Sequence, residues 1–160
     1  IPAYAAARFY VRARSRTYLA ELVERVQHIA EGAALQTGAR VEISQPAPAY
    51  ENAKANATLG RAFAKAMVEV GLDVESHDRA SANSSTDFGN LSQRKPAASA
   101  KFSISLERIP NHSLEMREAA CSDYARGALI SIAKAYALTA FDVLTQPALL
   151  AQAKVEFLGQ

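Results

Sequence analysis

Residues 84–90, with the sequence SSTDFGN, gather hydroxyl, carboxylate and amide side chains into one short polar segment. Side chains of these types bind substrates in enzyme loops, and they also satisfy backbone donors in ordinary turns and helix caps. The chemistry of the segment alone favours a turn by a narrow margin. The segment is therefore a candidate site that needs support from residues elsewhere in the chain.

The three histidines differ in their sequence surroundings. His112 follows a predicted strand and a proline and precedes a predicted helix, which is where α/β proteins place ligand-binding loops. His28 lies beside the apolar stripe of a predicted helix, and His77 lies in a polar segment, so both are expected at the surface. Spacing alone also favours a structural role for His112, and it becomes a candidate ligand only with further evidence.

Several well-known catalytic motifs are missing from the sequence. The chain has no Gly-rich phosphate loop, no His-Glu-x-x-His pair and no Gly-x-Ser-x-Gly elbow. Its single cysteine, Cys121, excludes an internal disulfide or a thiolate metal cluster and favours a reducing compartment, so a cytoplasmic location is expected. No partner base is evident for a nucleophilic thiol at this position.

The composition is that of a soluble globular protein. Of the 160 residues, 49% are hydrophobic and 21% are charged, which is enough apolar material for one core of ordinary size. The 18 basic and 16 acidic residues are interleaved, so we expect neither a nucleic-acid partner nor a membrane partner. The chain opens without an initiator Met, close to a predicted strand, and a truncated protein is expected.

The first 44 residues predict a strand, a helix and a second strand. Residues 7–13 alternate apolar and polar side chains, as in a half-buried strand, and residues 39–44 do the same. Residues 16–37 predict a helix with Ser15 as its N-cap and Gly38 just beyond its end. Its predicted inward stripe consists of Leu19, Leu22, Val23, Val26, Ile29, Ala30 and Ala33.

Residues 45–56 contain two prolines and few large apolar residues, which predicts a crossover between two domains. Asn56 is then the predicted N-cap of a helix that ends at Gly71, with Leu59, Phe63, Met67 and Val70 facing inward.

The remaining residues predict further strands and helices. Short strands are predicted at 72–76 and 101–106, and a long helix from Ser122 to about Leu144. A last helix is predicted from Pro147, with Thr145 as its cap. The predicted inward face of the long helix comprises Leu129, Ile132, Ala133, Tyr136, Ala137, Ala140 and Phe141.

Three segments carry a family resemblance: STDFGNLS (85–92), NHSLEMREAACSDYA (111–125) and AKAYALTAFDVLTQPALL (133–150). In this order they resemble the carboxy-terminal half of the zinc aminoacylase, dipeptidase and carboxypeptidase G superfamily, and within it the branch of Xaa-Arg (β-alanyl-lysine) dipeptidases. The resemblance implies an α/β fold. Residues 1–48 would be the second half of an inserted α+β, ferredoxin-like lid or dimerisation domain, and residues 49–160 the C-terminal part of a mixed-sheet catalytic domain.

The resemblance also implies a reaction. In the family, a dinuclear zinc or manganese site activates a water for hydrolysis of an amide bond. The implied substrate is a small dipeptide, with Lys, Orn or Arg on the leaving side, or an N-acyl amino acid. Only one of the family's metal ligands falls within this chain, and it matches His112. No catalytic residue is assigned, because the general base and the other ligands match nothing here. The metal site is expected only in a full-length protein, and this chain alone is expected to be inactive.

The same resemblance places Thr86, Asp87 and Asn90 close to the metal site, so they are predicted to contact the substrate. Arg12, with Arg8 on the polar face of the first strand, is a candidate partner for a substrate carboxylate, and the alternative is a solvated surface residue. A homodimer through the lid domain is expected.

Some positions depart from the family pattern. Ser84 stands where a glycine usually precedes the Ser-Thr-Asp, and a left-handed backbone there would be strained. Cys121 takes a usual glycine position. Gln93, Arg94 and Lys95 replace a largely apolar strand stretch, and Ser99-Ala100 replace a frequent His-Pro.

Two hypotheses follow from the sequence. The first is that the chain is a fragment of a longer metal-dependent dipeptidase or amidohydrolase. The second is that it is a non-catalytic derivative of the family, a binding protein that dimerises through residues 7–13 as an edge strand.

Overall fold

Six helices form the regular secondary structure of the computed structural model, which describes residues 2–74 and 86–159. No strand forms among these residues, so the predicted α/β class, with its mixed sheet and ferredoxin-like lid, is wrong. His77, Ser84 and the end of the predicted strand 72–76 lie outside the described residues. The helices are α1 (Arg16–Thr37), α2 (Ala57–Glu69), α3 (Phe88–Ser92), α4 (Leu114–Ala120), α5 (Asp123–Thr145) and α6 (Pro147–Leu158).

The predicted strands at 7–13, 39–44 and 101–106 lack regular secondary structure. Alternating side chains give a segment two faces, but a strand exists only when a neighbouring chain accepts and donates its backbone hydrogen bonds. In the third segment, local bonds to serine hydroxyls replace such a ladder. The Ser103 hydroxyl donates to the Ser105 carbonyl, and the Ser105 hydroxyl accepts from the Glu107 N–H at 3.1 Å. Such side-chain bonds compete with sheet formation.

The chain divides into two compact units, residues 1–52 and residues 53–160. In the first unit, α1 has the ends that its sequence predicts. The Ser15 hydroxyl accepts from the Tyr18 N–H at 3.2 Å, and Gly38 has a left-handed φ of 69°. The predicted inward stripe is wrong, because no residue of α1 is buried, and Ile29 is 70% exposed. His28 is exposed, as predicted.

The core of the second unit lies where α2 meets α5 and α6, and α4 packs on α5. Phe63 and Met67 of α2 are buried, as predicted, and the Phe63 ring centroid lies 4.5 Å from that of Tyr136. Each fully buried side chain of this size contributes about 1.5–3 kcal/mol by leaving water. The buried cluster consists of Phe63, Ala66, Met67, Ile132 and Ala135, with Val70 and Leu72 packed against it.

Helix α5 buries far less of its surface than its sequence predicts. Of the seven predicted inward residues only Ile132 is buried, and Phe141 is 63% exposed. Within the described residues, α5 is the one helix whose length and composition would allow it to cross a membrane. A core helix of a soluble protein satisfies the same criterion, so this is weak evidence for a membrane segment.

Helix α6 begins at Pro147, as predicted, because proline tolerates the first helical position. The predicted cap at Thr145 is wrong. Its hydroxyl donates to the Phe141 carbonyl at 2.8 Å within the last turn of α5, and Gln146 occupies the cap position instead. Cys121 is exposed at the end of α4.

Candidate functional site

The described part of the polar segment, residues 86–90, includes the first three residues of the short helix α3. The Thr86 hydroxyl lies 3.3 Å from an Asp87 carboxylate oxygen and accepts from the Phe88 N–H at 3.3 Å. Both Thr86 and Asp87 are exposed, and Asn90 is half-buried, with its carbonyl accepting from the Arg94 guanidinium at 2.6 Å. The three predicted substrate contacts therefore lie within five residues at one helix start.

Ser92 anchors this segment to the residues before α2. Its side chain is fully buried, and its hydroxyl accepts from the Lys54 N–H at 2.9 Å. The same hydroxyl donates to the Gly89 carbonyl inside α3 at 2.8 Å. A second long-range bond lies just beyond, from the Asn56 N–H to the Ala97 carbonyl at 3.0 Å. The backbone N–H groups of Lys54 and Asn56 thus hold the segment that contains α3 and the residues that follow it.

The carboxylate of Glu156, near the end of the second unit, accepts hydrogen bonds from the start of α2. Glu156 of α6 accepts from the Ala57 N–H at 2.6 Å, the Thr58 N–H at 2.9 Å and the Thr58 hydroxyl at 2.7 Å. The hydrogen bond from the Thr58 hydroxyl and those from the two N–H groups lower the pKa of the Glu156 carboxyl. The carboxylate therefore satisfies donors that a helix start leaves without partners.

Asn56 and Lys54 add two more bonds to α6. The Asn56 amide donates to the Ala153 carbonyl at 2.8 Å, while its oxygen accepts from the Leu59 N–H at 3.0 Å, the predicted N-cap. The Lys54 ammonium donates to the Phe157 carbonyl at 2.6 Å and lies 4.1 Å from the centre of the Phe157 ring. We refer to Lys54, Asn56, Thr58, Ser92 and Glu156 as the junction.

His112 occupies a tight turn before α4. Its φ of 61° lies in the left-handed region, which is uncommon for a residue other than glycine. Ser113 follows as the N-cap of α4, and its hydroxyl accepts from the Met116 N–H at 3.1 Å and donates to the Pro110 carbonyl at 2.9 Å. The bonds of Ser113 hold the turn, and the His112 side chain is exposed.

The residues that the structure describes do not form a metal centre. Among 2–74 and 86–159, no group of three or more His, Cys, Asp or Glu side chains lies close enough to hold an ion. One imidazole is too few, since a catalytic zinc takes three protein ligands. Helices α3 and α4, which follow the polar segment and the His112 turn, are not in contact with each other.

Arg12 belongs to the first unit. It is exposed, and its guanidinium lies 5.5 Å from the centre of the Tyr10 ring. Arg8 is also exposed. Two shallow, open depressions of the second unit are lined by parts of residues 102–109, of α4 and of the start of α5, and neither is lined by His112 or by α3.

The sequence gives no sign of two residues that organise this region, Ser92 and Glu156. The Ser92–Lys54 bond joins residues 38 positions apart in sequence, and the bonds of Glu156 join residues 98 or 99 positions apart. A local pattern can predict a cap from the same segment, as it does for Asn56, but not a carboxylate that arrives from another helix.

Two curated proteins align with nearly the whole chain, each covering 98% of it over 159 residues, at 36% and 34% identity. Both are dipeptidases by name, and nearly the whole chain is similar to part of each. Both are named Xaa-Arg dipeptidase, one from Mus musculus and one from Homo sapiens, so the resemblance that the sequence predicts is confirmed. The chain spans 37% and 36% of their lengths. No family model matches the chain.

Proposed function

We propose that this chain is part of a metal-dependent dipeptidase that hydrolyses dipeptides with Arg, Lys or Orn on the leaving side. The observation that carries the proposal is the alignment of 98% of the chain with proteins named Xaa-Arg dipeptidase. In this reaction water adds to the scissile carbonyl, the C–N bond breaks, and the leaving amine takes up a proton. N-acyl amino acids are the second substrate class.

Three groups of residues have proposed roles in substrate and metal binding. Thr86, Asp87 and Asn90 hydrogen-bond the substrate, and the exposure of Thr86 and Asp87 supports this role. Arg12 pairs with the substrate carboxylate, as its exposed guanidinium allows. His112 is one ligand of a zinc or manganese site whose other ligands lie outside this sequence, so residues 1–160 alone are inactive.

The test uses the natural protein that carries this sequence. We expect its intact mass to exceed 17.2 kDa, with about two transition-metal ions per chain, as a two-metal hydrolase requires. Ala-Arg should be hydrolysed with a kcat/KM about tenfold or more above that of Ala-Glu, a difference that one favourable charge contact can supply. A chelator should abolish hydrolysis. A metal-free protein of 17.2 kDa that cleaves neither dipeptides nor N-acetyl-arginine would refute the proposal.

A non-catalytic binding protein that dimerises through residues 1–48 is the second candidate. Residues 7–13 favour it, because they lack regular secondary structure and expose two aromatic side chains, Phe9 and Tyr10. A cytoplasmic homodimer that pairs these segments as edge strands would cover them. Sedimentation of the natural protein should give a dimer, and Phe9→Lys should give a monomer. If both sediment as monomers, dimerisation is excluded and only a binding role is left.

A further inference from the structure

Ser92 has a bonding pattern that its own helix does not require. A helix of five residues needs no side-chain bond across the unit, yet the Ser92 hydroxyl accepts the Lys54 N–H at 2.9 Å. The hydroxyl uses its proton for the Gly89 carbonyl at 2.8 Å. Donor and acceptor are therefore both satisfied in a fully buried position, which is the condition under which a polar side chain fixes one geometry.

The position of α3 gives this bond its importance. Helix α3 contacts none of the other five helices. The Ser92–Lys54 bond and the Asn56–Ala97 bond nearby join its segment to the residues that open α2. Those residues are themselves bonded to α6 through Asn56 and Glu156. A continuous series of hydrogen bonds therefore runs from α6 through the junction into α3.

We propose that Ser92 is a positioning residue, whose hydroxyl holds the α3 segment against Lys54 so that Thr86, Asp87 and Asn90 present one fixed arrangement to the substrate. The inference rests on the proposed function for the role of those three side chains. Its structural part, the anchoring of α3 by Ser92, can be tested without any activity. Loss of the hydroxyl leaves the Lys54 N–H without its acceptor and removes one of two donors to the Gly89 carbonyl, which keeps the Gln93 N–H at 3.1 Å. The polar segment then samples several arrangements.

The test compares Ser92→Ala with Thr58→Val in the natural protein. Thr58→Val is the matched control, because Thr58 is also buried, and its hydroxyl bonds Glu156 at the same junction without contacting α3. Valine keeps the shape of threonine and removes the two bonds of its hydroxyl, to Glu156 at 2.7 Å and from the Arg61 guanidinium at 3.4 Å. Both variants should lower the melting temperature, since Ser92→Ala leaves the Lys54 N–H without its acceptor and Thr58→Val removes a charge-assisted hydrogen bond to Glu156. Only Ser92→Ala should accelerate amide hydrogen exchange of residues 88–95.

The kinetic readout separates positioning from stability. For Ser92→Ala we expect KM for Ala-Arg to rise about tenfold with kcat within about twofold, because uniform substrate binding is lost. For Thr58→Val we expect both constants to stay at the wild-type values. Equal exchange and equal KM in the two variants would overturn the proposal.

An inactive wild-type protein would refute the proposed function, and the exchange comparison would still decide the anchoring. Faster exchange of residues 88–95 in Ser92→Ala alone would support Ser92 as the anchor of α3, and unchanged exchange would overturn it.

Discussion

Helices α1 and α2 both begin at a polar side chain that caps the first turn, but they differ in what surrounds them. Ser15 caps α1 over 22 residues, and none of those residues is buried. Asn56 caps α2 over 13 residues, and four of them are buried, among them Phe63 and Met67. Capping depends on bonds within one segment, whereas burial depends on a second element at the right distance. A helix with well-defined caps is therefore no evidence that another element covers its apolar face.

The hydrogen bonds of polar side chains also differ between the second unit and α1. The second unit satisfies Asn56, Thr58 and Ser92 through bonds that cross the unit. The side-chain hydrogen bonds of α1 are local, joining residues three or four apart, and its ion pair from Arg16 to Glu51 at 3.0 Å involves a largely exposed guanidinium. Substitutions should therefore have large, cooperative effects around the junction and small, local effects in α1.

The largest effect is expected from Phe63→Ala. Phe63 is 5% exposed and contacts Tyr136, so its loss leaves a cavity at the centre of the core. The free energy of unfolding should fall by about 3–5 kcal/mol, measured by urea denaturation. Ile29→Ala in α1 is the control, and it should stay within about 0.5 kcal/mol of the wild type because Ile29 is largely exposed. Equal losses in the two variants would remove the distinction between the helices.

Asn56→Ala should have the next largest effect. It removes the N-cap of α2 and leaves the Ala153 carbonyl without its buried donor, at a cost of about 2 kcal/mol in urea denaturation. Asn56→Ser keeps a capping oxygen and loses only the amide donor, so its loss should be intermediate. If Asn56→Ser is as stable as the wild type, the bond to α6 contributes nothing.

Ser15→Ala tests the exposed helix. The loss of its cap should destabilise the first turn of α1 by about 1 kcal/mol, measured by hydrogen exchange at Tyr18 and Leu19. Ser122→Ala removes the equivalent bond at the start of α5, where the Ala125 N–H donates at 3.1 Å. Because α5 packs on α2, that variant should destabilise its whole unit rather than one turn. If Ser15→Ala lowers the stability of the whole protein, α1 is coupled to other elements and the proposed difference between the helices is wrong.

Glu156→Gln tests the acid dependence of stability rather than stability at neutral pH. The amide keeps one accepting oxygen, and its NH2 group replaces the carboxylate oxygen that accepts from the second N–H group. The pKa of Glu156 is lowered below its usual 4.5 by the Thr58 hydroxyl and the N–H groups of Ala57 and Thr58. Its stabilisation is thus fully present above pH 4.5 and is lost as the pH falls through the lower folded-state pKa. The acid dependence of unfolding should be shallower in Glu156→Gln.

Glu115→Gln is the control for that measurement. The pKa of Glu115 is also lowered, first by its own backbone N–H and then by the Ser113 hydroxyl. This carboxylate lies at the start of α4 and bonds within its own first turn. The Glu115→Gln variant should change the acid dependence less than Glu156→Gln. A larger change in Glu115→Gln than in Glu156→Gln would mean that the carboxylate responsible for the acid dependence of unfolding lies outside the junction.

The sequence predicts the longer helices well, does not predict α3, and predicts a sheet that does not form among the described residues. Ser15, Gly38, Asn56 and Pro147 mark helix ends through bonds or backbone angles that belong to a few adjacent residues. Strands need partners from distant segments, and alternation at 7–13 carries no information on whether a partner is present. The inward stripe of α1 is wrong for the same reason, because periodicity shows that a face is apolar and not that it is covered.

The candidate site is predicted less completely than the helices. The resemblance selects Thr86, Asp87, Asn90 and His112, and their proposed roles remain to be tested. The geometry that holds the polar segment depends on Ser92, which local chemistry does not distinguish from other serines. Long-range hydrogen bonds of this kind depend on the packing of the whole unit, so only the folded structure reveals them.

The left-handed backbone at His112 restricts how this position can change over evolution. Gly, Asn, Asp and His adopt a φ near 61° more readily than other residues, whereas most side chains are strained there by about 1–2 kcal/mol. The turn should therefore tolerate Asn, Asp or Gly at this position better than valine or isoleucine. Replacement by alanine removes the ring and strains the turn together, while replacement by asparagine removes the ring alone.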